Sequence, residues 1–473
     1  KNDSSGERMN VMMRRTLRRG LALLLVLSLV LGLSGCVEQY HNGGQTVIDM
    51  DENTQAEVAA AVTKVNEILA EGTLEDLLAQ LPEEIEAEDV TNGWNQWEAI
   101  RKEHGEWTST KNADIFYYCY AGAATVNYVF EDVTMTADML FTSDHQLVYL
   151  DFYESAEAEY SLPEGLVEKT VTIGEGTDYP LEGTLTYPEG GTDLPAVVLV
   201  HGIGNNDRDQ TALATKMFRD LANGLAERGI AVLRYDKRTY TYPEAQTITD
   251  VSTLTIDFQT VDDAVLATEA LRAQDVVDPE KVYLVGHDLG GLVAPRIDQE
   301  ADYAGYVIMA SPSRAWSEAA FDQAIRYGMD GLEYDTVQYL EPMLKSDIED
   351  IRKLDNTKEE DEWTNILLNQ YVCFWIDLNA YDYPQMVADS DKPVLIMQGD
   401  ADYQIQTDPD YNGWTEILSG KDNAVCKLYE GVNHMMMKTE GPFTNVSKQY
   451  ERPLHVAEEI ISDMASWILE QAA

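Results

Sequence analysis

Apolar positions change their period several times along this chain of 473 residues. Residues 21–33 form an apolar run behind Arg14, Arg15, Arg18 and Arg19. Ala59, Val62, Val65, Ile68 and Leu69 then recur at helical spacing, and Leu74, Leu77 and Leu78 extend that face, which predicts a helix. After Trp94 and Trp97 the pattern becomes a series of short runs at 115–120, 124–130, 134–141 and 146–152, separated by turn residues such as Gly122 and Ser143-Asp144. These read as successive strands, so residues 57–160 make a small α+β domain. Residues 37–56 between are polar and suit a tether.

Ser161-Leu162-Pro163-Glu164-Gly165 marks a boundary, beyond which strand and helix alternate over residues 165–473. Segments 171–173 and 181–187 predict an opening antiparallel pair. Short apolar runs at 196–200, 231–235, 282–285, 306–309, 394–397 and 425–429 suit buried strands. Helical spacing at 211–227, 260–273 and 456–469 lies between or after them. The order predicts an α/β class protein with a doubly wound, mostly parallel sheet. From about 313 to 390 the rhythm stops; Leu340, Leu344, Ile348 and Ile351, then Trp363, Leu367 and Tyr371, predict helices inserted as a lid. Tyr327, Tyr334, Tyr339, Phe374 and Trp375 are candidates to line a pocket there, although aromatics at helical spacing more often belong to a core.

The apolar run at 21–33 is short for a membrane span and ends at Leu33-Ser34-Gly35-Cys36. With its basic flank it reads as a secretory leader occupying residues 1–36. Lysine and arginine number 33 against 84 acidic residues, a formal net charge of -51. That charge repels nucleic acid and anionic lipid surfaces and favours a neutral or cationic small-molecule substrate. Cys119, Cys373 and Cys426 are far apart and no zinc-binding spacing occurs, so neither a disulfide framework, a metal nor a cofactor is expected.

Chemistry concentrates in three turns. The run 282–285 leads into Gly286-His287-Asp288-Leu289-Gly290-Gly291, the shape of a nucleophile elbow with aspartate at the apex. Asp tolerates positive φ, while Gly286 and Gly290 remove side chains that would collide. In isolation Asp288 would read as a helix cap; with the other turns present it reads as catalytic. His201-Gly202-Ile203-Gly204 follows an earlier strand and offers the Ile203 amide, with that of Leu289, as an oxyanion hole. Asp402, in Gly399-Asp400-Ala401-Asp402, and His434, in Gly431-Val432-Asn433-His434, complete the order nucleophile, acid, histidine. Asp400 is the rival acid.

These residues carry a resemblance. The segments His201 to Asp209, Val232-Leu233-Arg234-Tyr235-Asp236-Lys237-Arg238, the elbow with Ala294-Pro295-Arg296, and Gln398-Gly399 through Asp402-Tyr403-Gln404 resemble a bacterial serine carboxylesterase family of the α/β-hydrolase fold. More distantly they resemble dipeptidyl-peptidase-like hydrolases. The resemblance covers about residues 165–473 and implies ester cleavage by a triad on positions 288, 434 and 402. Leu33-Ser34-Gly35-Cys36 resembles the lipobox of bacterial lipoproteins, which implies lipid on Cys36 and a place on the extracytoplasmic face of the cell membrane. The small domain resembles, in pattern and position, the NTF2-like domains that precede some hydrolase modules.

The chain departs from the esterase family at the nucleophile. An aspartate that attacks an ester carbonyl leaves more readily than the alkoxide it should expel. The same carboxylate can displace a halide or epoxide oxygen at an sp3 carbon, as in epoxide hydrolases and haloalkane dehalogenases, but Leu289 and Gly204 stand where those enzymes carry tryptophan and proline. Ester hydrolysis with His434 or Asp288 as general base on water, aspartate-nucleophile chemistry, and an impaired hydrolase that only binds therefore all remain open at this point.

Overall fold

The computed structural model describes residues 52–82, 87–118, 121–142, 144–154, 162–212, 214–242, 254–326, 334–354, 366–367, 370–439, 447–450 and 454–473. The predicted leader, Cys36 and the predicted tether as far as residue 51 lie outside the described residues, as do Cys119, Tyr327 and Trp363 and the side chains of Tyr334 and Tyr339. Contacts divide the chain into two units, a smaller one before residue 159 and a larger one after it.

The smaller unit is strand-rich. It comprises α1 (Glu52–Glu71), α2 (Leu74–Leu78), α3 (Glu88–His104) and an antiparallel sheet β1 (Ser109–Tyr118), β2 (Ala121–Val129), β3 (Thr134–Phe141) and β4 (Leu147–Glu154), in that order. The predicted single helical face is broken between α1 and α2. A Cβ at Gly72 would fall 2.8 Å from the Ile68 carbonyl, and Thr73 opens α2 through a reciprocal capping box with Asp76. Helix α3 has its own signal in Val90, Trp94, Trp97 and Ile100, all buried at helical spacing, which the reading above passed over. Trp97 donates to the Leu69 carbonyl at 2.8 Å and packs on Tyr128 and Phe152, so aromatic burial joins the helices to the sheet.

The larger unit starts with β5 (Leu166–Ile173), β6 (Leu181–Pro188) and β7 (Leu194–Val200), followed by α4 (Met217–Ala226), β8 (Ala231–Tyr235), α5 (Asp262–Arg272) and β9 (Val277–His287). After β9 come α6 (Leu289–Leu292), α7 (Ala294–Ala301), β10 (Gly305–Met309), α8 (Trp316–Arg326) and α9 (Tyr334–Ile351). Then follow α10 (Val372–Asn379), α11 (Tyr383–Asp389), β11 (Val394–Gly399), α12 (Asn412–Ile417), β12 (Ala424–Tyr429) and α13 (Glu458–Gln471). The strands form one sheet in the order β12-β11-β10-β9-β7-β8-β6-β5. Strands β7 to β12 pair in parallel, and β5 and β6 add an antiparallel edge. This is the α/β-hydrolase fold, and every residue of β7 from Ala196 to Val200 is fully buried, as a central parallel strand requires.

Two predicted helices are corrected. Residues 211–216 are a small antiparallel pair, Thr211–Ala212 with Thr215–Lys216, and α4 starts only at Met217. Thr211 gives its amide and hydroxyl to the Asp207 carboxylate and Thr215 bonds the Ala212 carbonyl, local bonds that compete with helix. In the inserted region, Leu367 and Tyr371 lie in a two-stranded pair, not a helix, while α8, α9, α10 and α11 supply the helices. Phe374 and Trp375 on α10 are fully buried.

Candidate active site

The parallel strands deliver the predicted turns to their carboxyl ends. Strand β9 ends at His287, and Asp288 follows with φ 50° and ψ -119°, a strained conformation held by the turn around it. Cβ atoms at Gly286 and Gly290 would fall 2.4 Å from the carbonyls of Gly290 and His201, so the elbow and the loop after β7 approach more closely than any side chain permits. Helix α6 is one turn long before the break at Val293.

Asp288 stands at the N-cap position but its side chain makes no cap bond. It turns into the site, where Oδ2 accepts the Ile203 amide at 3.2 Å and Oδ1 faces the Trp316 indole N-H at 3.4 Å. The residue is 3% exposed. A Cβ at Gly202 would stand 2.7 Å from that Oδ2, so only glycine lets the loop meet the carboxylate. Gly204, at φ 101°, carries the loop onward. Leu289 is the first residue of α6 and is buried.

His434 is 2% exposed and its Nδ1 lies 2.9 Å from Asp402 Oδ2. A carboxylate only accepts, so Nδ1 carries the proton and Nε2 is left with the lone pair of a base. Burial works against the imidazolium, but the charge and hydrogen bond of Asp402 and the charge of Asp288 outweigh it and push His434 above the usual histidine value. Asp402 is held in turn: Gln398 Nε2 donates to Oδ2 at 3.0 Å, and the amides of Gln404 and Ile405 donate to Oδ1 at 2.7 and 2.9 Å. The rival Asp400 accepts the Gly431 amide and shapes the turn instead.

His287, Gln210, Lys237 and Trp316 have a part in this geometry although the sequence assigned them none. His287 is buried; its Nε2 faces the His434 carbonyl at 2.9 Å and so donates, leaving Nδ1 to accept from Gln210 Nε2 at 2.8 Å. Burial first, then the His434 charge, drive His287 well below the usual histidine value, which keeps it neutral. It thereby joins the loop after β7, the elbow and the histidine loop. Lys237, also buried, donates from Nζ to the Gly202 carbonyl at 2.8 Å. Trp316 opens α8 and packs on Trp375 with ring centroids 5.8 Å apart. His287 sits inside the elbow motif and Lys237 in the quoted segment after β8, but neither signal tells which atom each would reach.

Arginines brace the surroundings. Arg296 on α7 reaches Asp377 of α10 at 3.0 Å, and Arg314 after β10 bonds Asp410 beyond the acid loop at 2.9 Å. Among the described residues no group of three or more metal-binding side chains comes together.

Residues 197–444, just over half the chain, match the model of an alpha/beta hydrolase family, and the chain belongs to that family. Esterase EstD of Thermotoga maritima is 29% identical over 401 residues, spanning 83% of this chain and 89% of that protein. Among solved structures, an esterase of Pyrococcus furiosus covers 65% of this chain and 92% of its own at 14% identity and TM-score 0.40. Est1E from Butyrivibrio proteoclasticus covers 64% and 98% at 18% identity and TM-score 0.38. The chain is an esterase-like hydrolase.

Proposed function

We propose that the chain hydrolyses carboxylic esters of small molecules, with His434 as the base, Asp402 as its orienting acid, and the amides of Ile203 and Leu289 as the oxyanion hole. The observation that carries this reading is the His434–Asp402 pair, buried at 2.9 Å, together with the Ile203 amide aimed at the elbow side chain. Likeness to EstD over most of both chains supports it.

Aspartate at the apex changes the path. His434 Nε2 takes a proton from water, the resulting hydroxide adds to the ester carbonyl, and the oxyanion takes over the Ile203 N-H from Asp288 Oδ2. Collapse of the tetrahedral state breaks the bond to the alcohol oxygen, which leaves with the proton from His434. No acyl-enzyme forms. A second reading has Asp288 as covalent nucleophile at an sp3 carbon bearing halide or epoxide oxygen. One contact favours it: the Trp316 indole N-H at 3.4 Å from Oδ1 is a donor available to a departing anion. In this proposal Cys36 carries lipid that holds the enzyme on the extracytoplasmic face of the cell membrane, and the small domain, NTF2-like in pattern, acts as a packing module without chemistry of its own.

Turnover of short p-nitrophenyl esters that vanishes in His434→Ala is the expected result. Retained turnover in that variant would sink the assignment of the base. Single turnover in oxygen-18 water separates the readings, since label enters the Asp288 carboxylate only when that group forms a covalent ester.

A further inference from the structure

One buried cation stands directly behind the oxyanion loop and has no part in the path just described. Lys237 follows β8, is 2% exposed, and donates to the Gly202 carbonyl at 2.8 Å. Asn206 Nδ2 donates to the same oxygen at 3.3 Å and to the Ile203 carbonyl at 3.2 Å. The Gly202 carbonyl and the Ile203 N-H are the two ends of one peptide group. A cation on the oxygen draws density through the C–N partial double bond and makes the N-H a stronger donor.

We propose that Lys237 is a positioning residue for hydrolysis, which through the Gly202 carbonyl both aims and polarises the Ile203 amide that receives the oxyanion. The inference rests on the reading of that amide as an oxyanion donor and adds what sets its strength. Three observations support it. The lysine reaches the one peptide of the loop whose N-H meets the elbow side chain. Its main-chain N-H bonds the Asn206 carbonyl at 3.0 Å, so backbone and side chain grip the same loop from both ends. His201 next door is 1% exposed, and burial first, then the Lys237 charge, bring it down to about 3, which fits a weakly screened surrounding. Burying an ammonium costs several kcal/mol, and a neutral donor such as glutamine could fill the same hydrogen bond, so the charge itself is the feature to test.

The test uses the full chain with ¹⁵N-isoleucine labelling and the variants Lys237→Met, Lys237→Gln and Lys237→Arg, each checked for folding by thermal melt. Lys237→Met should move the Ile203 amide proton upfield, Lys237→Gln should recover part of the change through its neutral donor, and Lys237→Arg most of it. On p-nitrophenyl butyrate, Lys237→Met should lower kcat roughly tenfold with KM little changed, less than the roughly 10²–10³-fold loss of an oxyanion donor removed outright. An unmoved amide in a folded Lys237→Met or Lys237→Gln chain overturns the inference whether or not esters are turned over. So does a loss of kcat that arginine does not restore. An amide that moves as expected in a chain without ester turnover upholds the polarised peptide and sinks the ester reading instead.

Discussion

Replacing Asp288 by serine tests how the elbow side chain limits the site. In the resting protein Asp288 Oδ2 accepts the Ile203 N-H, the donor proposed for the ester oxyanion, and Oδ1 faces the Trp316 indole. A substrate must displace that oxygen. A hydrogen bond to a charged group contributes roughly 1.5–3 kcal/mol, which is about a 10- to 150-fold handicap on loading the donor. Serine removes the competitor and places a hydroxyl at the same apex, where His434, its Nδ1 committed to Asp402, can take its proton. The smaller side chain fits against Gly202, while serine tolerates the φ of 50° less well than aspartate, so a slightly lower melting temperature accompanies the gain. We expect kcat/KM for p-nitrophenyl butyrate to rise by on the order of 10²-fold, with a new mass adduct from a fluorophosphonate on residue 288. A folded Asp288→Ser chain that turns over no faster than the parent, and takes no adduct, would refute the view that the carboxylate obstructs an otherwise intact hole.

Further predictions address the base and its supports. The raised His434 value places the acid limb of the rate profile above the ordinary histidine range, because the imidazole must be neutral to act; Asp402→Asn should shift that limb to lower pH and cut kcat by about 10⁴-fold, as read from a pH–rate profile. The linked stability runs the other way. With the folded value above the unfolded one, the contribution is fully present below about 6.5 and fades as pH rises through the folded value, which melts across that window would reveal. His287→Leu leaves the His434 carbonyl and the Gln210 amide without their shared partner and should cost about 1–3 kcal/mol in denaturant unfolding, with His287→Gln recovering the donor to the carbonyl. Equal stability of His287→Leu and parent would show that this imidazole does not tie the loops together.

Much of the site was legible because it is built on short local patterns. The elbow needs Gly286 and Gly290 flanking a residue that tolerates positive φ, and the strand before it needs an apolar run; both are written in adjacent residues. Position in the turn favoured Asp402 over Asp400, and in the fold the Asp402 carboxylate meets His434 while that of Asp400 closes a turn on Gly431. Spacing misled where side chains competed for the backbone, as at Thr211 and Thr215, and it missed α3 because its buried stripe is thin within a polar helix.

By itself the sequence determined the alternation of strands and helices beyond residue 165, the α/β-hydrolase class of that unit, and the three turns that hold Ile203, Asp288 and His434. Only the tertiary structure decided what the apex carboxylate does there, since aspartate could cap its helix, and instead reaches an amide 85 positions away in sequence. It likewise decided that His287, Gln210 and Lys237 bond to the loops around Asp288 and His434. The physical reason is that propensity and period act within a few residues, whereas a buried donor finds its acceptor through the packing of the whole sheet, and no local pattern encodes which distant carbonyl will lie within 3 Å.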